Sequence, residues 1–205
     1  MNVVDLFCGC GGFSEGFRQA GFEVKFGIDM WKDATTTYQY NFPDAVVLNE
    51  DITKIDGSKI LQLTHLSDDK IDVIIGGPPC QGFSVSGKRL IDDERNKLYK
   101  SFVQIVSEIR PKVFVMENVP GLVRLFNGQV ARQVIKDFSA IGYRVQMKIL
   151  SADNYGVPQQ RRRVFFVGLN NEKVNTNVKY TYPAPLSGAG TDIPAVTCSE
   201  AVSDL

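Results

Sequence analysis

Two short segments carry groups able to work together on an aromatic ring. Residues 76–84 read GGPPCQGFS and residues 116–119 read MENV. A cysteine behind two prolines, paired with a glutamate that closes the next apolar run, suits attack on an electron-poor ring. Sulfur adds to the ring while the carboxyl group manages the proton on a ring nitrogen. A free thiol is only about a tenth or less thiolate at neutral pH, so Cys80 needs a helix dipole or a nearby cation to raise that share. A buried structural cysteine is the plainer reading. The Gly-Gly-Pro-Pro turn before Cys80 and the polar residues after it argue for chemistry instead.

Other segments supply binding groups. DLFCGCGGFSEGF (5–17) is an apolar run, a glycine turn and a helix start. Glycines let backbone approach a ligand closely. Asp29 follows Gly9 by twenty residues, the usual distance for a carboxylate that holds ribose hydroxyls. This pattern alone does not separate NAD from S-adenosylmethionine. Ser14 replaces the third glycine of a dinucleotide fingerprint, which disfavours NAD, and no G-K-[ST] follows to make a P-loop. In VPQQRRRVFFVG (157–168) the arginines precede an apolar run. In an extended segment Arg161 and Arg163 share one face and Arg162 takes the other, so two guanidiniums can grip phosphate and a carbonyl oxygen together.

The elements that must position these groups alternate. Apolar runs predict strands at 2–7, 23–28, 45–48, 71–75, 113–116, 145–150 and 164–169. Helical patterns fall at 13–20, 32–41, 58–66, 98–109 and 130–141, the last closed by Gly142. A loop rich in glycine, serine and charge spans 81–96, composed like a mobile lid. Beyond Asn170 the pattern fades. Repeated β-α units with near-continuous apolar strands imply an α/β fold whose mostly parallel sheet carries helices on both faces. Ligands then bind at the carboxyl ends of the strands. Residues 9–12, Asp29, Asp51, Pro79, Cys80 and Glu117 all fall there.

Composition sets the bounds. The 205 residues are 43% hydrophobic, enough for a core. Lys+Arg and Asp+Glu are 23 each, so a nucleic-acid surface must be a local patch or lie on other protein. The four cysteines, Cys8, Cys10, Cys80 and Cys198, form no metal or disulfide framework, and the single histidine, His65, reads as a surface helix residue. No metal is expected. With a strand close to Met1, no spanning apolar run and no disulfide spacing, the expected setting is a reducing cytoplasm or the nucleoid, neither secreted nor in a membrane.

In order, DLFCGCGG, GID with Ala34 and Asn41 downstream, NEDI, GGPPCQGFS, the RNKLY helix start, MENV and VPQQRRRVFFVG resemble the DNA cytosine-5 methyltransferases. The likeness covers residues 2–169. It implies a Rossmann-like, S-adenosylmethionine-dependent methyltransferase fold and methyl transfer to carbon 5 of a flipped-out cytosine. Cys80 would attack carbon 6 and Glu117 would hold and protonate ring nitrogen 3. Arg163, with Arg161 beside it, would contact the cytosine carbonyl, and Asn118 would brace the Pro-Cys loop. For the cofactor, the family implies Phe7, Gly9 and Gly11 around the methionine part, Asp29 on the ribose, and Asp51 and Ile52 on the adenine. Pro79 and Leu98 would line the pocket, and either Met30 or Trp31 would cover the ring.

PAVTCSEAVSDL resembles the segment before the family's target-recognition domain. The expected organisation is a catalytic domain at 1–170 and an irregular segment at 171–205. The expected partners are duplex DNA and a complementary C-terminal portion or subunit, with a second copy of the chain as a further candidate. The isolated chain is expected to be inactive on DNA. Three other readings stay open: an RNA cytosine-5 methyltransferase, disfavoured by Gly82-Phe83-Ser84, a non-catalytic module of the same fold, and a dehydrogenase.

Overall fold

The computed structural model describes residues 1–79, 96–188 and 190–204. Its centre is a seven-stranded sheet in the order β3-β2-β1-β4-β5-β7-β6. The strands are β1 (Asn2–Leu6), β2 (Glu23–Asp29), β3 (Val46–Asn49), β4 (Val73–Gly76), β5 (Val113–Asn118), β6 (Tyr143–Ser151) and β7 (Arg162–Asn170). The pairs β1–β2, β1–β4, β2–β3 and β4–β5 are parallel. The pairs β5–β7 and β6–β7 are antiparallel. The expected mostly parallel α/β sheet is thus present.

Helices α1 (Gly12–Gln19), α2 (Lys32–Asn41), α3 (Gly57–Thr64), α4 (Lys97–Ile109) and α5 (Gln129–Ala140) cover it, and a short α6 (Cys198–Ala201) follows. The two-residue period of a strand explains which helix takes which face. On β1, Val4 and Leu6 join a core with Ile60 of α3, Phe102 and Ile105 of α4 and Val134 and Phe138 of α5. Val3 faces the other way, packing with Phe13 and Phe17 of α1. Tyr38 and Phe42 extend that second face over Val24. Asp5 shares the Val3 face, so a carboxyl group points beneath α1 and α2.

Boundaries shift from the sequence expectation for identifiable reasons. Asp56 caps α3 by accepting from the Lys59 amide, so the helix opens at Gly57, one residue early. It ends at His65, exposed and in a left-handed conformation. Antiparallel pairing with each other carries β6 and β7 beyond their apolar stretches to nine residues apiece. Glu117 lies inside β5, one residue before its end.

One close contact requires glycine. A Cβ at Gly168 would lie 1.9 Å from the Phe114 ring. That ring stacks on Phe138 at 3.9 Å, at the heart of the α4–α5 face. The segment after β7 is irregular but docked. Tyr182 Oη donates to the Phe165 carbonyl at 2.8 Å, and the Leu186 amide donates to the Asn154 carbonyl at 2.8 Å.

Candidate active site

The strand order reverses between β1 and β4, and open parallel sheets bind ligands at that reversal. Phe7 leaves β1 there and Gly77 leaves β4. Two cavities meet at these two residues, which line both.

The first cavity, ≈ 520 Å³, is lined by Glu117, Arg161, Arg163, Tyr155 and Phe165 among others. Glu117 comes from β5 and Arg163 from the antiparallel neighbour β7, so their meeting depends on sheet order. Arg163 Nε lies 2.7 Å from Glu117 Oε1, each side chain 25% exposed. Burial raises the Glu117 pKa above the ordinary glutamate value, while Arg163 and then Arg161 oppose that rise. The carboxyl group is therefore held nearer to protonation than a surface glutamate, with a cation beside it. Arg162 alternates out of the cavity, as the extended pattern requires.

Asn118 turns the other way and donates from Nδ2 to the Pro78 carbonyl at 2.9 Å. This bond ties the end of β5 to the turn that precedes Cys80. Gly77 leaves room for the carboxylate, since a Cβ there would lie 3.1 Å from Glu117 Oε2. Cys80 itself, and the expected lid at 81–96 apart from Asn96, lie outside the described residues. Asn96 is buried at the start of α4.

The second cavity, ≈ 420 Å³, is lined by Phe7, Asp29, Met30, Trp31, Asp51, Ile52, Pro79 and Leu98, with Ile28, Glu50 and Gly77. Eight of the nine expected cofactor positions are placed. Phe7, Asp29, Met30, Asp51, Ile52, Pro79 and Leu98 line the cavity, and Gly9 reaches it through Asp29. The Gly9 amide donates to Asp29 Oδ2 at 3.0 Å and the Trp31 amide to Oδ1 at 3.0 Å. Each carboxylate oxygen keeps a further lone pair for a ligand hydroxyl. Both Met30 and Trp31 are exposed beside it, at 69% and 76%. The ninth position, Gly11, lines neither cavity. It sits at φ 98, where a Cβ would run into Phe42 and Tyr38, and Gly12 rather than Gly11 lines the first cavity. The acceptors of one cavity therefore suit a nucleoside with a ribose diol, and the wall shared at Phe7 and Gly77 sets that cavity beside the one lined by Glu117.

Sequence reading missed two features. Tyr155, Leu150 and Ser151 line the first cavity but carry no motif of their own. The second is Asp5, a carboxyl inside an apolar strand, whose oddity in NVVDLF was the available signal. It is 1% exposed, and burial raises its pKa to about 7. Among the described residues no cluster of three or more His, Cys, Asp or Glu is arranged to hold a metal ion. Among them, too, no helix is long and apolar enough to cross a membrane.

Comparison with known proteins gives the family and the fold. The sequence profile of the C-5 cytosine-specific DNA methylases matches residues 1–199. The chain is 40% identical to the type II methyltransferase M.AgeI of Thalassovita gelatinovora, across 100% of its own length and 51% of the relative's. It is 43% identical to the type II methyltransferase M.DdeI of Desulfomicrobium norvegicum, across 100% of its length and 48% of the relative's. The chain thus spans about half the length of the curated relatives it matches. A prophage-encoded DNA modification methyltransferase of E. coli, known from its crystal structure, superposes with a TM-score of 0.81 at 34% identity. That superposition covers 98% of this chain and 54% of the other.

Proposed function

The chain belongs to the C-5 cytosine-specific DNA methylase family, and on that premise we propose that it carries the cofactor and base sites for methylation of cytosine carbon 5 in DNA. The observation that carries the reading is the pair of cavities sharing Phe7 and Gly77, one built on Asp29 and Asp51, the other on Glu117, Arg161 and Arg163.

S-adenosylmethionine, held in the second cavity by Asp29, Asp51 and Ile52 with Phe7, Pro79 and Leu98 around it, supplies an electrophilic methyl group when bound. The chain's own residues do the rest. Cys80 adds through sulfur to carbon 6 of a flipped-out cytosine. Glu117, with its raised pKa, holds a proton at ring nitrogen 3 and eases the charge created by that addition. Arg163 keeps Glu117 in place through their 2.7 Å contact and, with Arg161, faces the base carbonyl. Asn118 keeps the Pro78 carbonyl, and hence the turn before Cys80, in register with Glu117. Once carbon 5 carries the methyl group, a base takes the carbon-5 proton, the ring double bond re-forms and Cys80 leaves as thiolate.

The proposed partner is duplex DNA. Because the 23 basic and 23 acidic residues cancel, reading of the DNA sequence is assigned to further protein acting in cis or in trans. The test is covalent trapping on duplex DNA bearing 5-fluorocytosine, whose carbon-5 fluorine cannot leave as a proton does. The assay uses the chain supplied with the remaining portion of a relative. An adduct that forms with the parent and vanishes in Cys80→Ala supports the reading. An adduct that survives Cys80→Ala, or one that forms on RNA and not on DNA, overturns it.

A further inference from the structure

We infer that Tyr38 and Ser14, acting through buried Asp5, are positioning residues that hold the glycine turn at residues 9–12 in the form that receives the cofactor; this rests on the S-adenosylmethionine reading above. Ser14 Oγ donates to Asp5 Oδ2 at 2.6 Å, and Tyr38 Oη lies 2.7 Å from Ser14 Oγ. With Ser14 donating to Asp5, the phenol donates to Ser14. Burial pushes the Tyr38 pKa upward, which keeps that proton on the phenol. The three residues join β1, α1 and α2 beneath the turn and are at most 1% exposed.

Tyr38 also shapes the turn by bulk. A Cβ at Gly11 would lie 3.1 Å from Tyr38 Cδ2 and 2.4 Å from Phe42 Cε2, and one at Gly27 would lie 2.6 Å from Tyr38 Cε1. Farther along α2, Asn41 Nδ2 donates to the Cys10 carbonyl at 3.1 Å. Helix α2 therefore grips the turn at Gly11, at Cys10 and, through Ser14, at the start of α1. The turn in turn fixes the Gly9 amide on Asp29, the carboxylate assigned to the ribose. None of Asp5, Ser14 or Tyr38 lines either cavity. Any effect they have on a ligand must pass through the turn.

Stability alone does not account for this arrangement. Asp5 Oδ1 is buried with no hydrogen-bond partner, the only such side-chain atom among the described residues. Apolar residues at these positions would avoid that cost, whereas directional bonds select one geometry of the turn. Ser14 stands where a dinucleotide fingerprint has its third glycine, which there allows close helix–strand packing. Here a hydroxyl fills that space and directs both its bonds to the scaffold.

The test uses the chain itself with Tyr38→Phe, Ser14→Ala, the double variant, and Val134→Ala as a remote core control in α5. Three quantities are measured: calorimetric affinity for S-adenosylhomocysteine, hydrogen exchange at the Gly9 and Gly11 amides without ligand, and the unfolding temperature. Each single variant is expected to weaken binding about fivefold, the net worth of one hydrogen bond. The double variant should be no weaker than the worse single one, because both break one chain. The Gly9 amide should exchange faster in all three. Val134→Ala should lower the unfolding temperature and leave affinity and Gly9 exchange unchanged. Unchanged Gly9 exchange, affinities within twofold of the parent, additive losses, or an equal loss in Val134→Ala would each overturn the inference. If the parent itself fails to bind S-adenosylhomocysteine, the cofactor reading falls, and Gly9 exchange still decides whether the turn is held as inferred.

Discussion

Replacing Asp5 by asparagine should change how stability depends on pH, by an amount that follows from burial. Asp5 is 1% exposed, accepts one bond from Ser14, and has a pKa raised from 3.8 to about 7 by burial, with the charge of Asp29 pushing the same way. A carboxyl group whose pKa is raised on folding stabilises the fold while protonated. That contribution is complete below the unfolded value and is lost as pH rises through the folded value. With values of 3.8 and about 7, roughly 2–3 kcal/mol of it remains at pH 5 and almost none at pH 8. The amide in Asp5→Asn would not titrate, and whatever it gains or loses in the site is the same at both pH values. The stability of the parent minus that of Asp5→Asn should therefore fall by roughly 2–3 kcal/mol between pH 5 and pH 8. Urea unfolding of both chains, followed by circular dichroism at the two pH values, measures that difference. The groups that titrate elsewhere are common to both chains and cancel. A difference that stays constant across the interval, or grows with pH, refutes the claim that burial outweighs the Ser14 bond and raises the Asp5 pKa.

Three further outcomes are expected. Asp29→Ala should weaken S-adenosylmethionine binding about ten- to hundredfold, because a hydrogen bond to a charged group is worth about 1.5–3 kcal/mol; equal calorimetric affinity would refute the role. Glu117→Gln and Arg163→Ala should each slow single-turnover methyl transfer about a hundredfold with cofactor affinity unchanged, and rates within twofold of the parent for both would remove them from the chemistry. Gly168→Ala should destabilise the fold by about 1–3 kcal/mol through the Phe114 ring, a loss readable in the urea midpoint, and an unchanged midpoint would mean that the Phe114–Phe138 stack yields freely.

The sheet itself was legible because parallel strands, buried on both faces, must be apolar along their whole length. NVVDL and VIIG announce themselves in that way. The edge strand β6 was legible only in its middle, at 145–150, and its full extent to Tyr143 and Ser151 comes from pairing with β7. Most residues lining the second cavity sit within a few positions of strand ends, where chain order and spatial order coincide, so their proximity could be read from the sequence.

What the sequence by itself determined is therefore the alternation of elements, the family likeness, and the strand-end placement of Asp29 after β2, Asp51 after β3 and Glu117 in β5. Tertiary structure alone decided the rest. It set Arg163 against Glu117, 46 positions apart in the sequence, because β7 enters antiparallel beside β5. It placed the two cavities side by side, because the order reverses between β1 and β4. It joined Asp5, Ser14 and Tyr38 under the glycine turn, because the two-residue period of β1 aims Asp5 away from the α3–α5 face and toward α1 and α2. Each of these depends on long-range pairing between strands or on packing across the sheet. No window of neighbouring residues carries that information, since the register between distant segments is set only when both have somewhere to bury their apolar faces.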